Sequence, residues 1–269
     1  MPTLGGRQLW TDIRIQNGWR VQCHVWKTHC RLLDPRDFCH QSGPKPDMLK
    51  AFAQKIKDEQ IAAARPHAVV LIHGLGRSAH SLDALAKALK AEGYEVVGFN
   101  YASNKAPIEI HAAALNQLIE TFEGVSQISF VTHSLGGIVL RQALNAAAPW
   151  RARVQLGRAV LLGPPNQGSQ VARILSGKKF MDALYGPALK QLADVGLGEK
   201  FPLPMTFATI AGTVNWLPFL KGVNDGLVSE AETRLNGAAQ HLTLKTSHAF
   251  MMSNTDVMTK TSAFLKGEL

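Results

Sequence analysis

Thr132-His133-Ser134-Leu135-Gly136-Gly137 decides how this chain is read. The apolar run Ile128-Ser129-Phe130-Val131 precedes it, and the helix-like run Ile138-Val139-Leu140-Arg141-Gln142-Ala143-Leu144 follows. A strand, a turn centred on serine and a helix are the setting of a nucleophile elbow, where a sharp turn lifts the hydroxyl out of a sheet. The positive end of the next helix and its free N–H groups then favour negative charge that develops nearby. The usual pattern is G-x-S-x-G, and here Thr132 stands at the first glycine. Whether Ser134 is a nucleophile or only a serine in a turn rests on what the rest of the chain supplies.

Around that stretch, strand and helix patterns alternate from residue 67 onward. Residues 68–72 are continuously apolar, as a parallel strand buried on both faces requires. Leu82, Leu85, Ala86 and Leu89 recur at helical spacing before Gly93. Further strands are expected at 95–101, 126–132, 158–162, 204–212 and 241–245, with a closing helix at 252–269. The pattern predicts an α/β fold with a mostly parallel sheet and helices on both faces. Ahead of it, residues 9–26 alternate about Gln16-Asn17-Gly18 and read as a β-hairpin. Asp34-Pro35, Gly43-Pro44 and Lys45-Pro46 mark 34–47 as a loop, and 47–64 read as a helix. Residues 1–66 are therefore expected to be an N-terminal extension packed on the core, and 67–269 the main domain.

Composition narrows the classes. With 46% hydrophobic and 18% charged residues in 269, the chain is long and apolar enough for one large domain and too apolar for disorder. The net charge is +9, and residues 1–66 carry +5 of it. This suits a basic solvated surface, or weak peripheral attraction to an anionic membrane. No dense basic run with interleaved aromatics occurs, so nucleic acid is not an expected partner. Cys23, Cys30 and Cys39 are an odd set, and with His24, His29 and His40 they fit no metal-binding spacing. Ordinary thiols in a reducing compartment are expected. Residues 1–10 lack the apolar core of a signal peptide, and no 18-residue apolar run exists, so a cytoplasmic chain is expected.

A serine hydroxyl needs a base, and the base an acid to orient it. The histidines after Ser134 are His241, at the start of a strand, and His248, just past the last strand. Asp225 lies in the Gly-bounded loop Gly222-Val223-Asn224-Asp225-Gly226-Leu227-Val228 after a strand, where carboxyl-edge sites form in α/β sheets. Asp182, Asp194 and Asp256 are less well placed. His73-Gly74-Leu75-Gly76 leaves the first parallel strand, and the N–H groups of Leu75 and Leu135 are candidate oxyanion donors. A phosphate-binding glycine loop is the competing reading of Gly74-x-Gly76-x-x-Ala79, but the ribose-binding acid that should follow the second strand is missing.

Val70-Leu71-Ile72-His73-Gly74-Leu75-Gly76-Arg77, the Ser134 turn, Asn224-Asp225-Gly226-Leu227-Val228 and His248 together resemble an α/β-hydrolase of the lipase/esterase type. Leu161-Leu162-Gly163-Pro164-Pro165-Asn166-Gln167-Gly168-Ser169 resembles the segment after the next strand in bacterial lipases. The resemblance covers about residues 67–269. It implies Ser134 as nucleophile, His248 as general base and acid, Asp225 as orienting acid, Leu75 and Leu135 as oxyanion donors, and no cofactor. His133 is expected to pack. Residues 164–203 read as a lid, an acyl-pocket wall or a plain crossover, and Trp216, Leu217 and Phe219 as pocket candidates. Both segments favour a hydrophobic acyl ester. Thioester or amide cleavage, or a hydrolase-fold scaffold without turnover, are the alternatives; the oligomeric state is left open.

Overall fold

The alternating residues after position 9 pair as antiparallel strands, β1 (Trp10–Gln16) and β2 (Trp19–His24), joined by Asn17-Gly18. Both turn residues have positive φ, 45° and 84°, which matches the twist of a two-residue hairpin. The computed structural model describes residues 7–193, 201, 204–215 and 222–269. It adds two strands that the sequence reading did not anticipate. β3 (His29–Leu33) and β4 (Cys39–Pro44) extend the hairpin to a sheet in the order β1-β2-β3-β4. The loop expected over 34–47 therefore shrinks to its first residues. β4 is an outer strand, where Gly43 and Pro44 cost little ladder bonding.

Helix α1 (Lys45–Asp58) lays Met48 and Phe52 against Trp19, Val21, Cys30 and Leu32 in a small core. Register places Cys23 opposite Cys30, and their sulfurs are bonded. This corrects the expectation of ordinary thiols, because the unanticipated β3 carries one cysteine to the other. Cys39 is free and exposed. Among the described residues, no group of three or more His, Cys, Asp or Glu is placed to hold a metal.

Downstream, the apolar runs become β5 (His67–Ile72), β6 (Glu95–Phe99), β7 (Gln127–His133), β8 (Gln155–Leu162), β9 (Thr206–Gly212) and β10 (Gln240–Leu244). They lie in the order β10-β9-β8-β7-β5-β6, and every pair is parallel. The helices of this part are α2 (Asp83–Ala91), α3 (Ile108–Glu120), α4 (Leu135–Asn145), α5 (Gln170–Leu175), α6 (Lys179–Tyr185), α7 (Pro187–Ala193), α8 (Glu230–Thr233) and α9 (Thr255–Lys266). Side chains of α3 and α4 pack with Ile128 and Phe130 on one face of the sheet. Those of α2 and α9 pack with Val69, Leu71 and Val131 on the other. Among the described residues no helix is long and apolar enough to cross a membrane.

β1 docks on the end of β6. Asp12 N–H donates to the Asn100 carbonyl at 2.9 Å, and Asn100 N–H donates to Asp12 Oδ2 at 2.7 Å. Parallel pairing turns all the strand ends the same way, so segments far apart in sequence meet at one carboxyl edge.

Candidate active site

β7 ends on His133 and α4 begins on Leu135, so Ser134 alone makes the turn. Its φ of 53° and ψ of −122° lie where L-residues are rarely found. A Cβ on Gly136 would stand 2.3 Å from the Ile72 carbonyl oxygen, so only glycine lets α4 start this close to β5. Thr132 is fully buried and in register with Ile72 and Leu161, neither of them small. Its room comes instead from Gly137, where a Cβ would lie 3.2 Å from Thr132 Oγ1. The departure from G-x-S-x-G is thus absorbed within the elbow itself and not by the neighbouring strand.

Asp225 and His248 leave β9 and β10 at the same edge. His248 Nδ1 is 2.7 Å from Asp225 Oδ2, and His248 N–H donates to the Asp225 carbonyl at 2.8 Å. Asp225 Oδ1 accepts the N–H groups of Leu227 and Val228 at 3.0 and 2.8 Å. Both carboxylate oxygens are therefore engaged inside a fully buried side chain. An ionised carboxylate only accepts, so Nδ1 is the ring nitrogen that presents its proton to Asp225. Nε2 has no partner among the described residues. Sequence reasoning missed Gly163, whose φ is +54° and where a Cβ would crowd His248 Nδ1 at 3.0 Å and Asp225 Oδ2 at 3.2 Å. Its signals were a glycine directly after an apolar strand and its place in the Leu161–Ser169 segment.

The other candidates are accounted for elsewhere. His241 is held by Thr209 Oγ1 at 2.6 Å and Glu230 Oε1 at 2.7 Å. Asp182 belongs to α6 and Asp256 lies in the first turn of α9, while Asp194 lies outside the described residues. His133 is buried, and its Nε2–H donates to the His248 carbonyl at 3.1 Å. Burial, followed by the nearby His248, holds its pKa well below the ordinary value, so it packs as a neutral ring.

The His73–Gly76 loop lies directly against Ser134, since a Cβ on Gly74 would be 3.2 Å from Ser134 Cβ. His73 Nδ1–H donates to the Gly74 carbonyl at 2.8 Å, and its Nε2 accepts Tyr101 N–H at 3.3 Å. Tyr101 stacks on the ring at 4.3 Å and donates its hydroxyl to the His73 carbonyl at 2.7 Å. Burial pushes the His73 pKa down to about 4, so this support stays uncharged. The N–H groups of Leu75 and Leu135 have no acceptor among the described residues. Donors left open beside a serine at a helix start suit a tetrahedral oxyanion.

Ser134 and His248 line a cavity of about 410 Å³. Leu75 forms part of its wall, and Val171, Leu175, Leu189 and Leu192 from the 164–203 insertion line it as well. Among its described residues the insertion forms three short helices, α5 to α7. Trp216, Leu217 and Phe219 lie outside the described residues.

A family profile described as "Domain of unknown function (DUF7379)" matches residues 41–240. The chain belongs to this DUF7379 family. The match includes Ser134 and Asp225, while His248 and the first three strands fall outside it. No curated protein matches the sequence. Among solved structures, this DUF7379 chain is similar to the mature form of the Bacillus licheniformis lipase BlEst2. The TM-score is 0.59 at 22% identity, covering 76% of this chain and 93% of that one. The metagenomic carboxyl esterase MGS0156 gives 0.56 at 16% identity, covering 76% of each chain. The Exiguobacterium antarcticum esterase EaEST gives 0.54 at 13% identity, covering 76% of this chain and 93% of that one. The DUF7379 chain therefore has the α/β-hydrolase fold that these structures share.

Proposed function

We propose that the protein hydrolyses carboxylic esters with a hydrophobic acyl part, through an acyl-enzyme on Ser134. The observation that carries this reading is the Asp225–His248 hydrogen bond, buried at the same sheet edge as the strained serine turn. His248 Nε2 takes the proton as Ser134 Oγ attacks the ester carbonyl. Negative charge on the carbonyl oxygen is accepted by the N–H groups of Leu75 and Leu135. As the C–O bond breaks, His248 returns the proton to the departing alcohol. Water, deprotonated by the same nitrogen, then attacks the acyl-enzyme, and as the acyl–Oγ bond breaks His248 passes that proton to Ser134 Oγ and the acid is released. Asp225 fixes the tautomer and stabilises the imidazolium in both halves. No step requires a cofactor. The apolar wall of the cavity supports the acyl preference, as does the fold shared with the BlEst2 lipase and the MGS0156 carboxyl esterase.

In the test, Ser134→Ala loses on the order of 10³-fold or more in kcat on short p-nitrophenyl esters. A fluorophosphonate probe labels the parent chain at Ser134 and not the variant. Substantial turnover by Ser134→Ala sinks the assignment, and a parent chain silent to the probe favours a scaffold. Rates on matched oxyester, thioester and amide substrates identify the leaving group.

A further inference from the structure

The loop that carries the Leu75 N–H is held partly from the far end of the chain. Gly76 N–H donates to Ser103 Oγ at 2.9 Å. Ser103 is fully buried, and its hydroxyl donates to Gln8 Oε1 at 3.0 Å. Gln8 Nε2 donates back to the Arg77 carbonyl. The three bonds make a ring that leaves the loop at residue 76 and returns at residue 77. Arg77 N–H in turn donates to the Gly74 carbonyl at 3.2 Å, closing the turn around Leu75. Gly76 has a φ of +69°. A glycine-rich loop has many alternative conformations, so without such bonds the Leu75 donor would have to be ordered during each reaction.

Resting on the acyl-enzyme reading above, we propose that Gln8, acting through Ser103, is a positioning residue for the Leu75 oxyanion donor. The N-terminal extension then completes the site instead of merely packing on it. The side-chain amide suits both contacts at once, because it accepts from a hydroxyl and donates to a carbonyl. A carboxylate at position 8 keeps the first contact and sets oxygen against oxygen in the second. Gln8 precedes β1 and lies outside the family match, so its role is not visible in residues 41–240. Its segment is anchored by Asn100 Nδ2, which donates to the Trp10 carbonyl at 3.0 Å.

The test uses the full chain with Gln8→Ala, Gln8→Glu, Ser103→Ala, Ser103→Thr and the Gln8→Ala/Ser103→Ala pair. It reads kcat and KM on a p-nitrophenyl ester, the inhibition constant of an alkyl boronic acid as tetrahedral mimic, and the melting temperature. Misplacing one oxyanion donor should lower kcat by about tenfold or more in Gln8→Ala, Gln8→Glu and Ser103→Ala, with KM within about twofold. Boronate affinity falls by the same factor. The double variant is no worse than Ser103→Ala, because both residues act through one ring, and Ser103→Thr keeps most of the activity. A Gln8→Ala chain with parental kcat overturns the proposal. So do additive losses in the double variant, or losses that follow the melting temperature while boronate affinity stays unchanged. If the parent chain neither turns over ester nor labels at Ser134, the acyl-enzyme reading itself fails. An active parent with indifferent Gln8 variants removes only the role of Gln8.

Discussion

Thr132 brings a hydroxyl into the elbow where it finds no hydrogen-bond partner among the described residues. Burying such a group without a partner is unfavourable, while its methyl fills space beside Gly137. Thr132→Val keeps the shape and removes the unpaired oxygen. The variant should gain about 1 kcal/mol, a rise of roughly 2–4 °C in melting temperature, with ester turnover unchanged. A calorimetric scan beside a turnover assay checks this; a lower melting temperature would mean the hydroxyl is satisfied after all. At this scale the candidates Ser134, Asp225 and His248 could be picked from the sequence because each stands past the end of an expected strand, Asp225 in a Gly-bounded loop. Gln8 and Ser103 were not, since a bond across 95 residues leaves no periodicity and a lone glutamine carries no pattern.

Among the elements, parallel strands were easier to read than antiparallel ones. β5 is buried over Ala68–Ile72 and stands out as an unbroken apolar stretch, and β7 is buried from Ile128 on, with Ile128, Phe130 and Val131 marking it. β4, reading Cys39-His40-Gln41-Ser42-Gly43-Pro44, is mostly exposed and held by backbone pairing to β3, so its side chains say little. The insertion between β8 and β9 showed its apolar character but not its division into α5, α6 and α7, which are six or seven residues each and depend on tertiary packing. Leu175 closes α5, lines the cavity and is only half-buried, so it tolerates a larger ring. Leu175→Trp should shorten the acyl space. Its kcat/KM on acetyl and butyryl esters stays near the parent value, and on decanoyl esters it falls by about tenfold, a loss of contact worth ~1.4 kcal/mol. A chain-length series reads the outcome, and an unchanged profile would place the acyl chain elsewhere.

For the molecule as a whole, the link between the N-terminal sheet and the main domain is partly ionic. His80, just before α2, meets Asp37 of the β3–β4 turn through Nε2 and Asp83 through Nδ1. Arg20 stands 3.9 Å from Asp37. Hydrogen bonding to Asp37 first, and then to Asp83, raises the His80 pKa to about 9 from the ordinary 6.5. A value raised by folding stabilises fully below pH 6.5, and that contribution is lost as pH climbs through about 9. The melting temperature should therefore decline between pH 7 and 9.5, and decline less in His80→Gln; parallel curves for the two chains would show that His80 does not report on the link. The parallel sheet has a kinetic side as well. The donor of the His133–His248 contact is 115 residues from its acceptor, and Gln8 is 69 residues from Arg77. Contacts this distant in sequence close late, because loop closure has to precede them. During refolding, ester turnover should thus return only after secondary structure and most burial have recovered. The chain's own activity then works as a clock for its last folding step.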